Sequence, residues 1–400
     1  MSDPGKIIRI AAKGDGLTES GRHVAGAVPG DTVSEDGIIT RGPHHVDPPC
    51  RHFARCGGCQ LQHCDDAVLS DFVRDRVLFA ARSQGLEPKR VAEPAMSPPH
   101  SRRRASLRAI SSGGRPLIGF NESGSHKIVD LAECPVMLPE LFAIVAPLRK
   151  YFASIKGRFA IDIEMTQTDQ GIDVGLKGFM PDGLVETESL LDFCRDNGLA
   201  RLTLDAGYGA EGFWEPEPVT ITLGGVPVAF PPGAFLQATR HGENALVSAA
   251  KRWLNDCRAV ADLFAGLGTF ALSLSGPEKL FAAEADKAAT LSCRNAAMKA
   301  RMPLETAHRD LFRNPLRAEE LALFDGVLLD PPRAGARAQV EQIAASGVER
   351  VVYVSCNPSS WSRDCAMLAQ AGYELSELRP VGQFRWSTHV ELASLFLKRG

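Results

Sequence analysis

The sequence has no apolar run long enough to span a membrane and no charged-then-apolar leader at its start. These two absences predict a cytoplasmic protein in reducing conditions. It also lacks an excess of positive charge. Its 45 Lys and Arg stand against 48 Asp and Glu, for a net charge of −3. No global basic field advertises a polyanion, so any surface for nucleic acid must be local. Without disulfides, the ten cysteines read as metal ligands, catalytic thiols or core fillers. At 44% hydrophobic and 23% charged the composition is ordinary for a globular chain, and 400 residues exceed what one core usually covers. Two or three domains are expected.

Residues 6–40 carry short apolar pieces broken by Gly-Asp-Gly at 14–16 and Pro-Gly-Asp at 29–31. Such punctuation predicts hairpins or a small OB-like β-barrel over 1–47, either a cap or an RNA-binding module. After a Pro- and His-rich linker at 43–49 comes PCRHFARCGGCQLQHC, which places Cys50, Cys56, Cys59 and Cys64 within fifteen residues. The glycines of Cys56-Gly-Gly-Cys59 let two thiolates converge. No strand–helix context of a redox dithiol precedes them, which leaves zinc or an iron–sulfur cluster. The lack of a second CxxC hairpin weighs against a zinc ribbon. Cys134, followed by Pro135, is available as a distant fourth ligand.

Val68, Leu69, Phe72, Val73, Val77 and Leu78 predict an amphipathic helix over 65–86. In HSRRRASLRAI, Arg102, Arg103, Arg104 and Arg108 fall on an expected strand. Alternate arginines then face opposite ways and one row can point at phosphates, although a charge run is more often a solvated face. Further strands at 107–120, 159–165, 171–179, 201–206 and 217–230 make 48–232 a sheet-rich central domain.

From 233 to 400 helix and strand alternate, the pattern of a doubly wound, mostly parallel α/β sheet. In Asp262-Leu-Phe-Ala-Gly266-Leu-Gly268-Thr-Phe270 a strand ends on an acid and turns through glycines into an expected helix. There is no third dinucleotide-fold glycine and no Lys-Ser/Thr phosphate loop. Glu284, ending the next strand, can accept hydrogen bonds from ribose hydroxyls, so an adenosyl ligand without phosphates fits best: S-adenosylmethionine. Asp330-Pro-Pro-Arg333 closes another strand with a stiff turn suited to holding a planar polar group. In VVYVSCNPSSWSRD, 351–364, a buried strand ends at Cys356, and Asn357 and Pro358 start a helix. A thiol there faces a helix N-terminus, which favours the thiolate, although a lone cysteine is more often inert core.

These blocks, with 234–237 and FRWSTHVE at 384–391, resemble the RNA uracil-C5 methyltransferases that form 5-methyluridine, in the branch carrying a four-iron four-sulfur cluster that includes 23S rRNA enzymes. The resemblance covers most of the chain. It implies a Rossmann-like S-adenosylmethionine-dependent domain, cluster ligands Cys50, Cys56, Cys59 and Cys134 with Cys64 outside the set, and cofactor contacts at Gln237, Phe264, Thr269, Glu284, Asp310 and Asp330. It implies Cys356 as nucleophile adding to uracil C6 and Glu391 as the base that removes the C5 proton, with Asp330 beside both substrate and cofactor. Arg385 and Ser387 replace the family's proline and threonine in the last block, which makes His389 a second candidate base. The 1–47 segment resembles a shortened TRAM barrel. RNA is the implied partner, 23S rRNA first, with no DNA, no membrane and a monomeric chain. The competing readings are a tRNA 5-methyluridine-54 enzyme, a catalytically dead iron–sulfur RNA-binding protein, and a cytosine-C5 methyltransferase.

Overall fold

Val351, Val352, Tyr353 and Val354 are all fully buried in the strand Arg350–Ser355. Their side chains alternate between two cores. Val351 and Tyr353 pack with Phe72, Val340, Trp361 and Leu368, whereas Val352 and Val354 pack with Leu246, Trp253 and Phe270. A strand apolar at every position is therefore central in a sheet with cover on both faces. Each such side chain contributes about 1.5–3 kcal/mol by leaving water. The computed structural model describes residues 5–112 and 115–399. The first four residues of the expected N-terminal module, two positions inside the expected strand 107–120, and Gly400 lie outside the described residues.

The sheet runs in the order Leu304–His308, Lys279–Glu284, Ala259–Leu263, Gly326–Leu329, Arg350–Ser355, Glu391–Lys398, Tyr373–Gly382. The first five strands are parallel, and Glu391–Lys398 and Tyr373–Gly382 turn the remaining edge antiparallel. Helix Arg240–Leu254, capped by Thr239 Oγ1 on the Gly242 amide at 2.9 Å, covers one face through Leu246, Ala249, Ala250, Trp253 and Leu254. Helices Arg337–Ser346 and Pro358–Gln370 lie on the other. This is the expected doubly wound, mostly parallel sheet.

Two features depart from the sequence reading. The helix expected after the glycine turn is a single 3₁₀ turn, Ala271–Ser273. The Asp262 carboxylate takes the Ala271 amide at 2.9 Å, and Leu274 is already extended ahead of Ser275-Gly276-Pro277, so the turn cannot propagate. The second feature concerns residues well before 233. The amphipathic helix is present as Asp66–Arg82, and it buries Val68, Leu69, Phe72, Val73 and Val77 against Pro358–Gln370 and Tyr373–Gly382. Arg90–Val91 and Ala95–Met96 then pair with Tyr373–Gly382.

The central residues form a seven-stranded sheet, Ile128–Asp130, Leu117–Asn121, Arg104–Ser112, Arg158–Gln167, Ile172–Lys177, Leu199–Asp205, Glu211–Trp214. Its core includes Leu148, Phe152, Ile161, Ile163 and Leu190. The residues expected as a strand over 217–230 instead make a separate hairpin, Thr220–Leu223 with Val226–Ala229. The N-terminal residues form a five-stranded antiparallel sheet with a small core of Ile7, Val24, Ala27 and Val33.

Candidate active site

The turn that leaves strand Ala259–Leu263 is built from unusual backbone. Phe264, Gly266 and Gly268 have φ of 61°, 55° and 88°. A side chain at Gly268 would meet the Cys293 sulfur at 2.5 Å, so only glycine fits. Phe264 has no such licence and carries strain of roughly 1–3 kcal/mol; its ring rests on Phe312, with centroids 5.3 Å apart. Glu284 braces the turn, accepting the amides of Gly266 at 2.9 Å and Asp286 at 2.8 Å. Asp310, just past strand Leu304–His308, accepts the amides of Phe312 and Arg313 at 3.0 and 3.3 Å. The Thr269 carbonyl accepts the Ser273 hydroxyl at 2.7 Å. Gln237 donates to Asp330 at 3.1 Å, and the Asp330 amide donates to the Leu263 carbonyl at 3.2 Å. The residues expected to hold the cofactor therefore gather at the carboxyl ends of neighbouring parallel strands, where open α/β sheets bind ligands. Asp262 is buried there with Oδ1 unpartnered. Burial, with Asp330 and Glu284 nearby, pushes its carboxyl up to about 8. An adenosyl group brings hydroxyl and amino donors to such a crevice of acceptors, so the residues present fit it.

Cys356 follows strand Arg350–Ser355 at a turn. Asn357 caps helix Pro358–Gln370 by accepting the Ser359 amide at 3.2 Å, and its side-chain amide donates to the Arg333 carbonyl at 2.9 Å. The thiol is half-buried. The expectation that the helix N-terminus favours a thiolate is corrected here: burial first, then the charges of Glu391 and Asp330, push the thiol up to about 11, against a smaller opposing effect of Arg333. Glu391 is buried at the start of strand Glu391–Lys398. Burial and the nearby Asp330 push its carboxyl up to about 8, opposed by a hydrogen bond from Gln383. Burial likewise pushes Asp330 up to about 7, opposed by Gln237. Three groups, from 330, 356 and 391, thus meet at one end of three adjacent strands.

Cys50, Cys56, Cys59 and Cys134 line a single cavity of about 360 Å³ whose wall also includes Arg102, Arg333, Cys356, Phe384 and His389. Cys64 is buried elsewhere. Among the described residues no group of three or more His, Cys, Asp or Glu side chains is arranged to hold a metal ion. Burial raises the thiols of all four cysteines, with Cys59 reaching about 12. The arginine run divides as the alternation predicts. Arg103 is buried and ion-paired with Glu243, while Arg102 lies over the Phe384 ring at 5.8 Å and Arg104 over the exposed Phe235 ring at 5.1 Å. Arg385, the departure from the family motif, is anchored by an ion pair to Asp66, by the Ser97 carbonyl at 3.3 Å and by the Trp386 ring.

The family model for tRNA (uracil-5-)-methyltransferases matches residues 233–399. A 23S rRNA (uracil(1939)-C(5))-methyltransferase of Pectobacterium atrosepticum is 32% identical over 373 residues, covering 90% of this chain and 82% of its own. The chain belongs to the RNA uracil-C5 methyltransferase family. It is an RNA methyltransferase with S-adenosylmethionine as its cofactor. An RNA methyltransferase of Zymomonas mobilis is more similar, at 46% identity over 394 residues, 98% of this chain and 99% of that one. The crystal structure of a Pyrococcus abyssi tRNA (uracil-54, C5)-methyltransferase, in complex with S-adenosyl-L-homocysteine, shares the fold with a TM-score of 0.75 at 23% identity, covering 99% of this chain and 100% of that one. No helix among the described residues is long and apolar enough to cross a membrane. Gln383, which hydrogen-bonds Glu391, was not singled out from the sequence. A lone neutral amide carries no signal there beyond lying next to Phe384 of the family block.

Proposed function

We propose that this protein methylates C5 of a uridine in RNA, 23S rRNA first, through a covalent bond from Cys356 to C6. The convergence of Cys356, Asp330 and Glu391 beside the cofactor crevice carries this reading. Uracil C5 is a weak nucleophile, and addition of a thiolate at C6 makes it enolate-like. The Cys356 thiol is protonated in the free enzyme at neutral pH, so addition includes its deprotonation. Asp330 and Glu391, whose carboxyls burial and, at Glu391, the neighbouring Asp330 hold well above the usual carboxylate range, are acceptors close enough to influence it. S-adenosylmethionine, when bound, supplies the methyl group to C5. Gln237, Phe264, Thr269, Glu284, Asp310 and Asp330 hold and orient it. Glu391 then takes the C5 proton and Cys356 leaves. The target base must be flipped or already unstacked to enter, and Arg102, Arg104 and the N-terminal sheet, read as a short TRAM-like module, supply backbone contacts.

The four cysteines of the cavity suit a four-iron four-sulfur cluster. They share one wall without closing on a single ion, and their buried thiols call for cations to become ligands. Such a cluster would be structural, since methyl transfer moves no net electrons. We place domain limits near 47/48 and 232/233, with residues 66–96 crossing the second limit to join the catalytic sheet, and take the chain to be a cytoplasmic monomer. The family model's description favours tRNA as a second reading. The test is methylation of 23S rRNA and tRNA transcripts with labelled S-adenosylmethionine. The expected product is 5-methyluridine in rRNA, lost in Cys356→Ala. Glu391→Gln should leave a methylated enzyme–RNA adduct stable to denaturation. Product in tRNA alone supports the second reading, and an adduct in Cys356→Ala overturns the mechanism.

A further inference from the structure

Two buried glutamines join the buried Glu391 carboxyl to the half-buried Asp330 carboxyl of the site. Gln237 Nε2 donates to Asp330 Oδ2 at 3.1 Å. Gln383 Nε2 donates to Gln237 Oε1 at 2.9 Å and to Glu391 Oε2 at 2.5 Å. The Gln383 amide orientation is fixed by this pattern, because its nitrogen lies between two oxygen acceptors. The same pattern fixes Gln237, whose backbone carbonyl is held by Arg103 Nε at 3.0 Å. Each carboxyl thus receives an amide donor, and the chain runs without a break from Asp330 to Glu391.

The surroundings are built around Gln383. It is 3% exposed, and its Oε1 is buried with no partner. That arrangement is costly for an amide present only for packing. Helix Arg240–Leu254 presents Gly242 to it, and a side chain there would meet Gln383 Cβ at 2.6 Å and Oε1 at 2.7 Å. The charged groups nearby are few. Asp330 comes from the end of strand Gly326–Leu329 and Cys356 from the end of Arg350–Ser355. On the helix side Glu243, next to Gly242, is already paired with Arg103. Nothing else donates a hydrogen bond to the Glu391 carboxyl among the described residues.

We propose that Gln383 is a positioning residue whose amide holds Glu391 as an acceptor and ties it through Gln237 to Asp330. This rests on the proposed reading of Glu391 as the base of the elimination step. In that step the C5–H bond breaks and its proton passes to the Glu391 carboxylate. The electron pair forms the C5–C6 double bond, the C6–S bond breaks, and Cys356 leaves as a thiolate. Only ionised Glu391 can accept the proton. A donor on Glu391 favours the ionised form, so its removal raises the pH at which elimination proceeds.

The test uses Gln383→Met, of similar length but without a donor, on the transcript that wild type methylates. Loss of one charge-assisted donor is worth roughly one pH unit, so the variant should hold roughly tenfold more methylated covalent adduct than wild type at pH 7. The adduct should disappear by pH 9. Gln383→Asn, which withdraws the amide by one methylene, is the second variant should Gln383→Met fail to fold, and it should trap adduct with the same pH dependence. A folded variant with no extra adduct, or with equal adduct at both pH values, overturns the role of Gln383 while leaving the enzyme reading intact. A wild-type protein that forms no 5-methyluridine on either transcript overturns both.

Discussion

Arg103 and Glu243 form a buried ion pair that ties the first residues of the central sheet to the first turn of the helix covering the catalytic sheet. Arg103 also holds the Gln237 and Ala238 carbonyls, through its Nε and its backbone amide, each at 3.0 Å. The pair therefore sets the position of Gln237 in the cofactor crevice. Removing one partner leaves a bare buried charge, whereas removing both leaves none. Arg103→Met should cost about 3–5 kcal/mol in urea unfolding, and Arg103→Met combined with Glu243→Gln should recover part of that. Equal losses in the single and double variants would deny the coupling.

Asp262 makes stability depend on pH in the opposite sense to most acids. Its folded carboxyl titrates near 8, far above the usual aspartate value of 3.8. Between those values the folded state holds a proton that the unfolded chain has lost, so stability falls as pH rises through the window. Without cofactor, the wild type should melt at lower temperature at pH 9 than at pH 6. Asp262→Asn should shrink that difference in melting scans, and an unchanged difference would assign it to other groups.

The free enzyme should be slow to alkylate at Cys356. With the thiol pushed up to about 11, little thiolate exists at pH 7.5, and the rate of iodoacetamide labelling should climb steadily to pH 10. Glu391→Gln removes the largest nearby charge that raises the thiol, so labelling at pH 8.5 should quicken. Peptide mass spectrometry of the 351–364 segment reads this out. A fast, pH-independent rate in wild type would restore the activated thiolate expected from the helix N-terminus.

Glu284→Ala should weaken S-adenosylmethionine binding by roughly tenfold or more, because a lost charge-assisted hydrogen bond costs about 1.5–3 kcal/mol. The same change frees the Gly266 and Asp286 amides, so the turn itself loosens. Calorimetry measures the affinity, and an unaltered dissociation constant would remove Glu284 from the cofactor site.

Anaerobically purified protein should be brown and contain iron and sulfide. Cys134→Ala should lose the colour, while Cys64→Ala, outside the cavity, should keep it. Stoichiometric zinc without iron would sink the cluster assignment.

What the sequence made legible was what depends on neighbours along the chain. The all-apolar 351–354 run forces a central strand, the glycines at 266 and 268 force a turn, and Asn357-Pro358 starts a helix. The misreadings came from contacts that local pattern does not carry. The thiolate expected at Cys356 followed from its own helix, yet burial, and then the charges of Glu391 and Asp330 distant in sequence, hold the thiol up. The apolar stripe of Asp66–Arg82 announced a buried face without naming the sheet it covers. Gln383 is neutral and unremarkable in sequence, and only its position between two acceptors gives it a part. The 3₁₀ turn was signalled by Ser275-Gly276-Pro277, but the apolar spacing before it looked helical.

The pairing of Arg90–Val91 and Ala95–Met96 with Tyr373–Gly382 has a consequence for how the chain is made. On the ribosome the helix Asp66–Arg82 emerges early, when Val68, Leu69, Phe72, Val73 and Val77 still lack most of the core they share. Their cover, Pro358–Gln370 and Tyr373–Gly382, is among the last residues synthesised. Until then the apolar face of the helix and two unpaired strand edges are open to aggregation. A chain released before residue 358 lacks both covering elements, so premature termination should yield an aggregating product rather than a smaller working domain.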